Sequence, residues 1–345
     1  MYNEQFEIRI RSNSSEFSKN IFAVEGGGTK GIYAIGVLKY LFEENPYINL
    51  QQVEIFAGTS VGSYLSVALS LGYQAEDFIE LSKDIDTSKV TGSKYLIITN
   101  LSRFIIRGYI YNDTGRKDVI KKILDRKMNY IRQHLSESDN FTFEDLTFGH
   151  LRTLIGSYPD IYRHLLINTV DLNRSEQIFI TTLENMWDNI RIVDALLASS
   201  SIPFVFKPII LYYDPDSGTY GYQKKENYLD IHLYDGGLST NNPLDYFLIH
   251  DDVYSGYNIW LLKFTNQPKY VKIKNTIELF IQVLDYLISG KNDTKMDMIR
   301  DKFRVNVINL LCNAGSLDIY NQEEIQKIIE NVYDSCVRGK LYVEK

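Results

Sequence analysis

Twice between residues 21 and 64 an apolar run passes through a glycine-bearing turn straight into a helical pattern. Residues 21 to 25 read as a strand, followed by Gly26, Gly27 and Gly28 and a helix to about Glu44. Residues 53 to 57, VEIFA, read as the next strand, and VGSYLSVALSLG as its helix. In the first helix Ile32, Ile35, Leu38 and Phe42 recur at helical spacing and form a buried stripe. Short apolar strands alternating with such helices specify an α/β fold, a mainly parallel sheet with helices on its faces.

The rest of the chain continues the alternation. Residues 74 to 85 and 116 to 133 look helical, with an ambiguous stretch, KYLIITNLSRFIIRGYIY, between them. LLINTVDL and EQIFIT make a hairpin across Asn173-Arg174. A helix with Asp194 as its N-cap runs through ALLASS towards Pro203, and residues 229 to 234 form a strand that ends in Asp235-Gly236-Gly237. The last third alternates YNIWLLKF, a helix near 275 to 288, VNVINLL and a helix near 321 to 337. With no repeat and no low-complexity linker, we expect one continuous domain: an N-terminal extension (1–20), a core (21–265) and a C-terminal α/β segment (266–345) packed on it.

Two stretches carry chemistry. The loop G-G-G-T-K-G places Gly26, Gly28 and Gly31 in the pattern G-x-G-x-x-G between a strand and a helix. Glycines there let a ligand approach main-chain N–H groups at the positive end of a helix dipole, which suits an anion. A dinucleotide site also needs an acid at the end of the second strand, whereas Glu54 stands at its start. A nucleotide-binding module, a site for another anion and a plain tight turn all remain open on the loop alone. Residues 56 to 64, FAGTSVGSY, are more specific: Gly58, Ser60 and Gly62 form G-x-S-x-G in a strand–turn–helix setting, the nucleophile elbow. There the residues two before and two after the serine come together and must be small, and the N–H of Val61 can converge with those of the glycine loop on one point.

A serine hydroxyl needs a base. His134, His150, His164, His232 and His250 are available, and His250 follows Asp235 in the order Ser…Asp…His of a conventional esterase. The other candidate base is Asp235 itself, which ends a strand before two glycines, Gly236 and Gly237, that leave its carboxylate accessible.

Charge and composition narrow the partners. A formal net charge of −7 argues against a dedicated nucleic-acid binder. Two cysteines, Cys312 and Cys336, offer no disulfide framework and fit a reducing, cytoplasmic setting. No signal-peptide core and no run of about 18 apolar residues is present, so contact with a membrane is expected to be peripheral, and non-classical export stays open. Residues 116 to 132 carry seven cations, Arg116 to Arg132, opposite Val119, Ile120, Ile123 and Leu124, and could rest on anionic headgroups. The apolar residues of 95 to 111 could form a lip over the site. No cluster of His, Cys and Asp suggests a metal.

Taken in order, EGGGTKG, GTSVG, ASSSIP (198–203) and DGG (235–237) resemble the patatin-like phospholipases, lipid acyl hydrolases that use a Ser–Asp dyad. TFEDL (142–146) and STNNP after the DGG are also similar, and the likeness covers roughly residues 20 to 265. It implies a three-layer α/β/α fold, Ser60 as nucleophile and Asp235 as general base. It further implies an oxyanion hole from Gly26, Gly27, Gly28, Lys30, Gly31 and Val61, an acyl-serine intermediate, a phospholipid substrate and no cofactor. Some relatives require an activating partner, so an activator stays open. Lys30 stands where the family usually has Arg, and Ser201 where it tends to have Ala, the latter read as a matter of packing.

Overall fold

Among the described residues eleven strands form one sheet in the order β11-β1-β10-β9-β2-β3-β4-β8-β6-β7, with β5 also on β4. They are β1 (Phe6–Arg9), β2 (Asn20–Val24), β3 (Val53–Thr59), β4 (His164–Asp171), β5 (Glu176–Thr181), β6 (Ile209–Asp214), β7 (Thr219–Gly221), β8 (Leu229–Asp235), β9 (Asn258–Asn266), β10 (Arg304–Cys312) and β11 (Leu341–Tyr342). The computed structural model describes residues 6–9, 19–44, 48–85, 87, 109, 111–266, 298–300, 302–312, 318–338 and 341–342, with 272–273, 279, 282–283, 286 and 315 as isolated positions. At the centre β10, β9, β2, β3 and β4 are parallel. Antiparallel pairs flank them: β1 on β10, and β5 and β8 on β4, with β6 and β7 beyond.

Alternation along the central strands divides the interior in two. Phe22, Val24, Phe56 and Ile167 face a large core with α1 (Gly31–Glu43), α2 (Val61–Ser70), α3 (Ala75–Asp84), α4 (Thr114–Leu135), α5 (Phe148–Ser157) and α6 (Ile192–Ser199). Their neighbours Ile21, Ala23, Ile55, Ala57 and Leu166 face a smaller core with α7 (Asp245–Ile249) and α8 (Asp251–Tyr254). Side chains of successive strand residues point to opposite faces, so near-continuous apolar runs such as IFAV must be covered on both. The result is a three-layer α/β/α fold.

Helix α1 shows what a one-sided stripe misses. Ile32, Ile35 and Leu38 are buried as the spacing predicts, but so are Tyr33, Val37 and Leu41. Their cover is α9 (Gln322–Val337), which packs against α1 so closely that a Cβ on Gly36 would lie 2.7 Å from the carbonyl oxygen of Ile329. That second face is invisible locally because its partner comes from the other end of the chain.

Two local expectations are corrected. The β4–β5 hairpin turns over four residues, Leu172 to Ser175, with Ser175 at φ 55, because the Asp171 carboxylate captures the Asn173 N–H at 3.0 Å and Arg174 Nε at 2.9 Å. Helix α6 begins at Ile192 after Arg191, and Asp194 lies inside its first turn, where its carboxylate accepts from Arg191 Nε at 2.6 Å. Most of the helix expected near 275 to 288 and most of the lip at 95 to 111 lie outside the described residues. Among the described residues no helix is long and apolar enough to cross a membrane.

Candidate active site

Strand β3 ends at Thr59 and α2 begins at Val61, so the whole reversal falls on Ser60, at φ 53 and ψ −126. A non-glycine residue there stores on the order of 1–3 kcal/mol and persists only where its surroundings over-determine it. Here they do. A Cβ on Gly58 would lie 2.4 Å from the carbonyl oxygen of Gly62, and one on Gly62 would lie 2.3 Å from that of Val24. The Ser60 N–H donates to Ser199 Oγ at 2.8 Å, and that hydroxyl donates to the Asn168 carbonyl at 2.7 Å.

Asp235 reaches this point as the last residue of β8, paired antiparallel with β4 so that it stands opposite Thr169. Ser60 Oγ donates to Asp235 Oδ2 at 2.9 Å across 175 positions of sequence. The other carboxylate oxygen accepts the Gly237 N–H at 2.9 Å, and the Asp235 N–H donates to the Ser201 carbonyl at 3.0 Å. Gly236 allows the turn to close on Asn168, whose carbonyl oxygen would stand 2.5 Å from a Cβ there. Both members of the pair are buried, Ser60 at 5% exposure and Asp235 at 2%. Burial pushes the Asp235 carboxyl up to about 6, against the opposing pull of the Gly237 amide, the Ser60 hydroxyl and the Arg116 guanidinium. A carboxylate in that range is a competent base near neutral pH.

The glycine loop lies directly on the elbow. Cβ atoms built on Gly26 and Gly31 would meet Ser60 Cβ at 3.2 Å and Val61 Cγ2 at 2.5 Å, and Gly28 takes φ 58 as the chain turns into α1. Its amides are not equivalent. Gly26 N–H donates to the Asn241 carbonyl at 3.0 Å, Lys30 N–H to that of Gly27 at 3.3 Å, and Gly31 N–H to that of Gly28. Those three amides are already committed to main-chain acceptors. Gly27, Gly28 and Val61 are the candidate donors that remain, and the Lys30 side chain is buried.

A cavity of about 140 Å³ opens at Ser60, bordered by Gly28 and Val61 and walled by Ile32, Leu65, Leu81, Val119, Ile123 and Phe206. Its surface is almost wholly apolar, which suits a hydrocarbon chain. Among the described residues no three His, Cys, Asp or Glu side chains are grouped to hold a metal ion.

The remaining candidates stand elsewhere. His250 follows α7, its ring 4.5 Å from that of Tyr246. His134 bonds Tyr162, His150 caps α5, His164 bonds Thr182, and His232 lies half-buried in β8. Glu54, at the start of β3, accepts from the Tyr257 hydroxyl at 3.0 Å. The basic face of α4 is matched by carboxylates: Lys117 with Glu144, Lys121 with Asp125, Lys122 with Asp118, Arg126 with Asp84 and Lys127 with Asp77.

Arg116 is not on that face at all; it is 2% exposed and borders the cavity. Sequence reasoning grouped it with the surface cations, although its spacing to Val119, Ile120 and Ile123 puts it on the apolar stripe. Ser201 is likewise more than packing, since its hydroxyl accepts from Arg116 at 3.2 Å.

The family model for patatin-like phospholipase matches residues 22–248. Uncharacterized protein L620 of Acanthamoeba polyphaga mimivirus is 44% identical over 333 residues, 94% of this chain and 90% of its own. Uncharacterized protein R571 of the same virus is 25% identical over 229 residues, 66% of this chain and 61% of its own. Among solved structures, VipD from Legionella pneumophila aligns with a TM-score of 0.46 at 14% identity, covering 98% of this chain and 70% of that one. Human GIVD cytosolic phospholipase A2 aligns at 0.38 and 10% identity, over 95% and 60%.

Proposed function

The chain belongs to the patatin-like phospholipase family of lipid hydrolases, and on that premise we propose that it cleaves fatty-acyl esters of phospholipids, a phospholipase A-type reaction, with Ser60 as nucleophile and Asp235 as its only base. One observation carries the reading: Ser60 Oγ, on a strained turn at the mouth of an apolar cavity, donates its hydrogen bond to the Asp235 carboxylate at 2.9 Å.

The chemistry follows in two halves. Ser60 Oγ bonds to the ester carbonyl carbon as its proton passes to Asp235, and the carbonyl electrons move onto oxygen. Amides of Gly27, Gly28 and Val61, at the positive ends of α1 and α2, stabilise that oxyanion. Collapse breaks the carbon–oxygen ester bond, Asp235 returns the proton to the leaving alcohol, and an acyl-serine remains. Water, deprotonated by Asp235, then attacks the acyl carbon and releases the fatty acid and Ser60. Loss of one oxyanion donor costs roughly a hundred- to a thousandfold in such reactions. Docking of α4 on headgroups forms no part of this reading, because five of its cations already face carboxylates.

The test is labelling of Ser60 by a fluorophosphonate together with fatty-acid release from defined phospholipid vesicles, run with and without cell extract to reveal an activator. Ser60→Ala and Asp235→Asn should abolish both, while His250→Ala retains both. A conventional triad would lose labelling on His250→Ala, and a nucleotide-binding module would give no labelled serine at all. Turnover should rise with an acid limb near pH 6, where Asp235 ionises.

A further inference from the structure

Arg116 enters the interior from the first turn of α4, and both terminal nitrogens of its guanidinium are held by protein groups, while its buried Nε has no partner among the described residues. One nitrogen donates to the Leu197 carbonyl at 3.0 Å, Ser200 Oγ at 3.0 Å and Ser201 Oγ at 3.2 Å. The other is paired with Asp113, which Lys207 also approaches at 3.2 Å. The plane stacks on Phe206, 3.9 Å from the ring centroid. The two terminal nitrogens are thus held by protein acceptors, although the residue borders the cavity.

What it grips is the point. The strip from Leu197 to Ser201 holds both halves of the reacting pair by their main chains: Ser199 Oγ accepts the Ser60 N–H, and the Ser201 carbonyl accepts the Asp235 N–H. Tyr64, from α2, bonds Ser200 Oγ at 2.9 Å and closes the same cluster. We propose that Arg116 is a positioning residue for the Ser60–Asp235 pair, clamping the 197–201 strip that sets their separation and placing a fixed positive charge beside the carboxylate. This rests on the reading of Ser60 as nucleophile. The groups facing Asp235 are the Ser60 hydroxyl, the Gly237 amide and Arg116, with the Tyr64 phenol coupled to it from α2 and Asp113 behind the guanidinium. Arg116 favours the ionised carboxylate, so its removal raises the pH at which the base becomes available.

The experiment is the pH dependence of fluorophosphonate labelling at Ser60, from pH 5 to 9, in the wild type, Arg116→Met and Arg116→Lys. Arg116→Met should label at least about tenfold more slowly at pH 7. Its acid limb should move upward by a few tenths to about one unit. Arg116→Lys keeps the charge and loses the fork, so it should slow labelling while the limb stays in place. Ser200→Ala/Ser201→Ala leaves Arg116 intact but removes two acceptors, and should slow labelling severalfold even if the arginine variants do not fold. Labelling within twofold of wild type with an unmoved limb in Arg116→Met, or in the serine double variant if only that folds, overturns the proposal. No labelling of the wild type would instead sink the reading of Ser60 as nucleophile, so the two failures are distinct.

Discussion

The turn at Ser60 and the glycine loop at residues 26 to 31 touch each other yet are held in unlike ways. In the elbow every atom that would meet an added Cβ at Gly58 or Gly62 is main chain: Gly62, Ser63, Val24 and Glu25. In the loop they are mostly side chains: Phe264 at Gly27, Val61 at Gly31, and Asn241, Ser60 and Thr59 at Gly26. Gly28 takes the left-handed backbone that favours glycine, at φ 58. Carbonyls of a central parallel strand cannot move without breaking the sheet, whereas a ring can turn. The elbow is therefore a rigid frame with one permitted pattern, and the loop is the adaptable half.

The contrast breaks first at Gly62. Adding a methyl 2.3 Å from the Val24 carbonyl oxygen has no side-chain escape, so Gly62→Ala should lose about 3 kcal/mol of stability or more and all labelling of Ser60. Chemical denaturation gives the number. A variant within about 1 kcal/mol of wild type would show that the elbow yields as the loop does.

Next comes the carboxylate that meets the Ser60 hydroxyl. Asp235 titrates at 3.8 as a free side chain and near 6 in the fold, so the folded state holds its proton more tightly than the unfolded chain. Its contribution to stability is full below pH 4, declines as pH rises towards 6, and is lost above. The difference corresponds to up to about 3 kcal/mol. Asp235→Asn should recover most of that at pH 8 and almost none at pH 4, while turnover disappears. Thermal unfolding across this range reads it; an Asn variant no more stable than wild type at pH 8 would mean that the buried carboxylate carries no such penalty.

How much of this could be read beforehand follows the same division. The elbow was legible from Gly58, Ser60 and Gly62 because backbone contact leaves a turn of that shape no other residues. The loop was not, since G-x-G-x-x-G marks a close approach without saying what approaches, and only the hydrogen bonds separate the committed amides of Gly26, Lys30 and Gly31 from those of Gly27 and Gly28. Residues alone left Asp235 and His250 as rival bases. The pairing of β8 with β4, a long-range register, brings the carboxylate to Ser60, and it was the family resemblance that singled it out. Arg116 was missed because its cationic neighbours drew it into a surface face, although the helical period placed it inside.

The loop itself gives the smallest and sharpest test. Gly27, at φ −169, is not left-handed, and the nearest obstacle to alanine there is the Phe264 ring 2.7 Å away. Gly28 has no such excuse: alanine there should cost about 1–2 kcal/mol from the left-handed backbone alone. Phe264→Ala, which removes the obstructing ring atoms, should therefore rescue Gly27→Ala and leave Gly28→Ala as it was. In double-variant cycles on urea unfolding, the first pair should couple by about 1 kcal/mol and the second should add within about 0.5 kcal/mol. Equal coupling in both pairs would mean that ring and backbone strain are not separable in the loop. In that case its amides would be fixed as firmly as those of the elbow, and the division between a rigid and an adaptable half would fail.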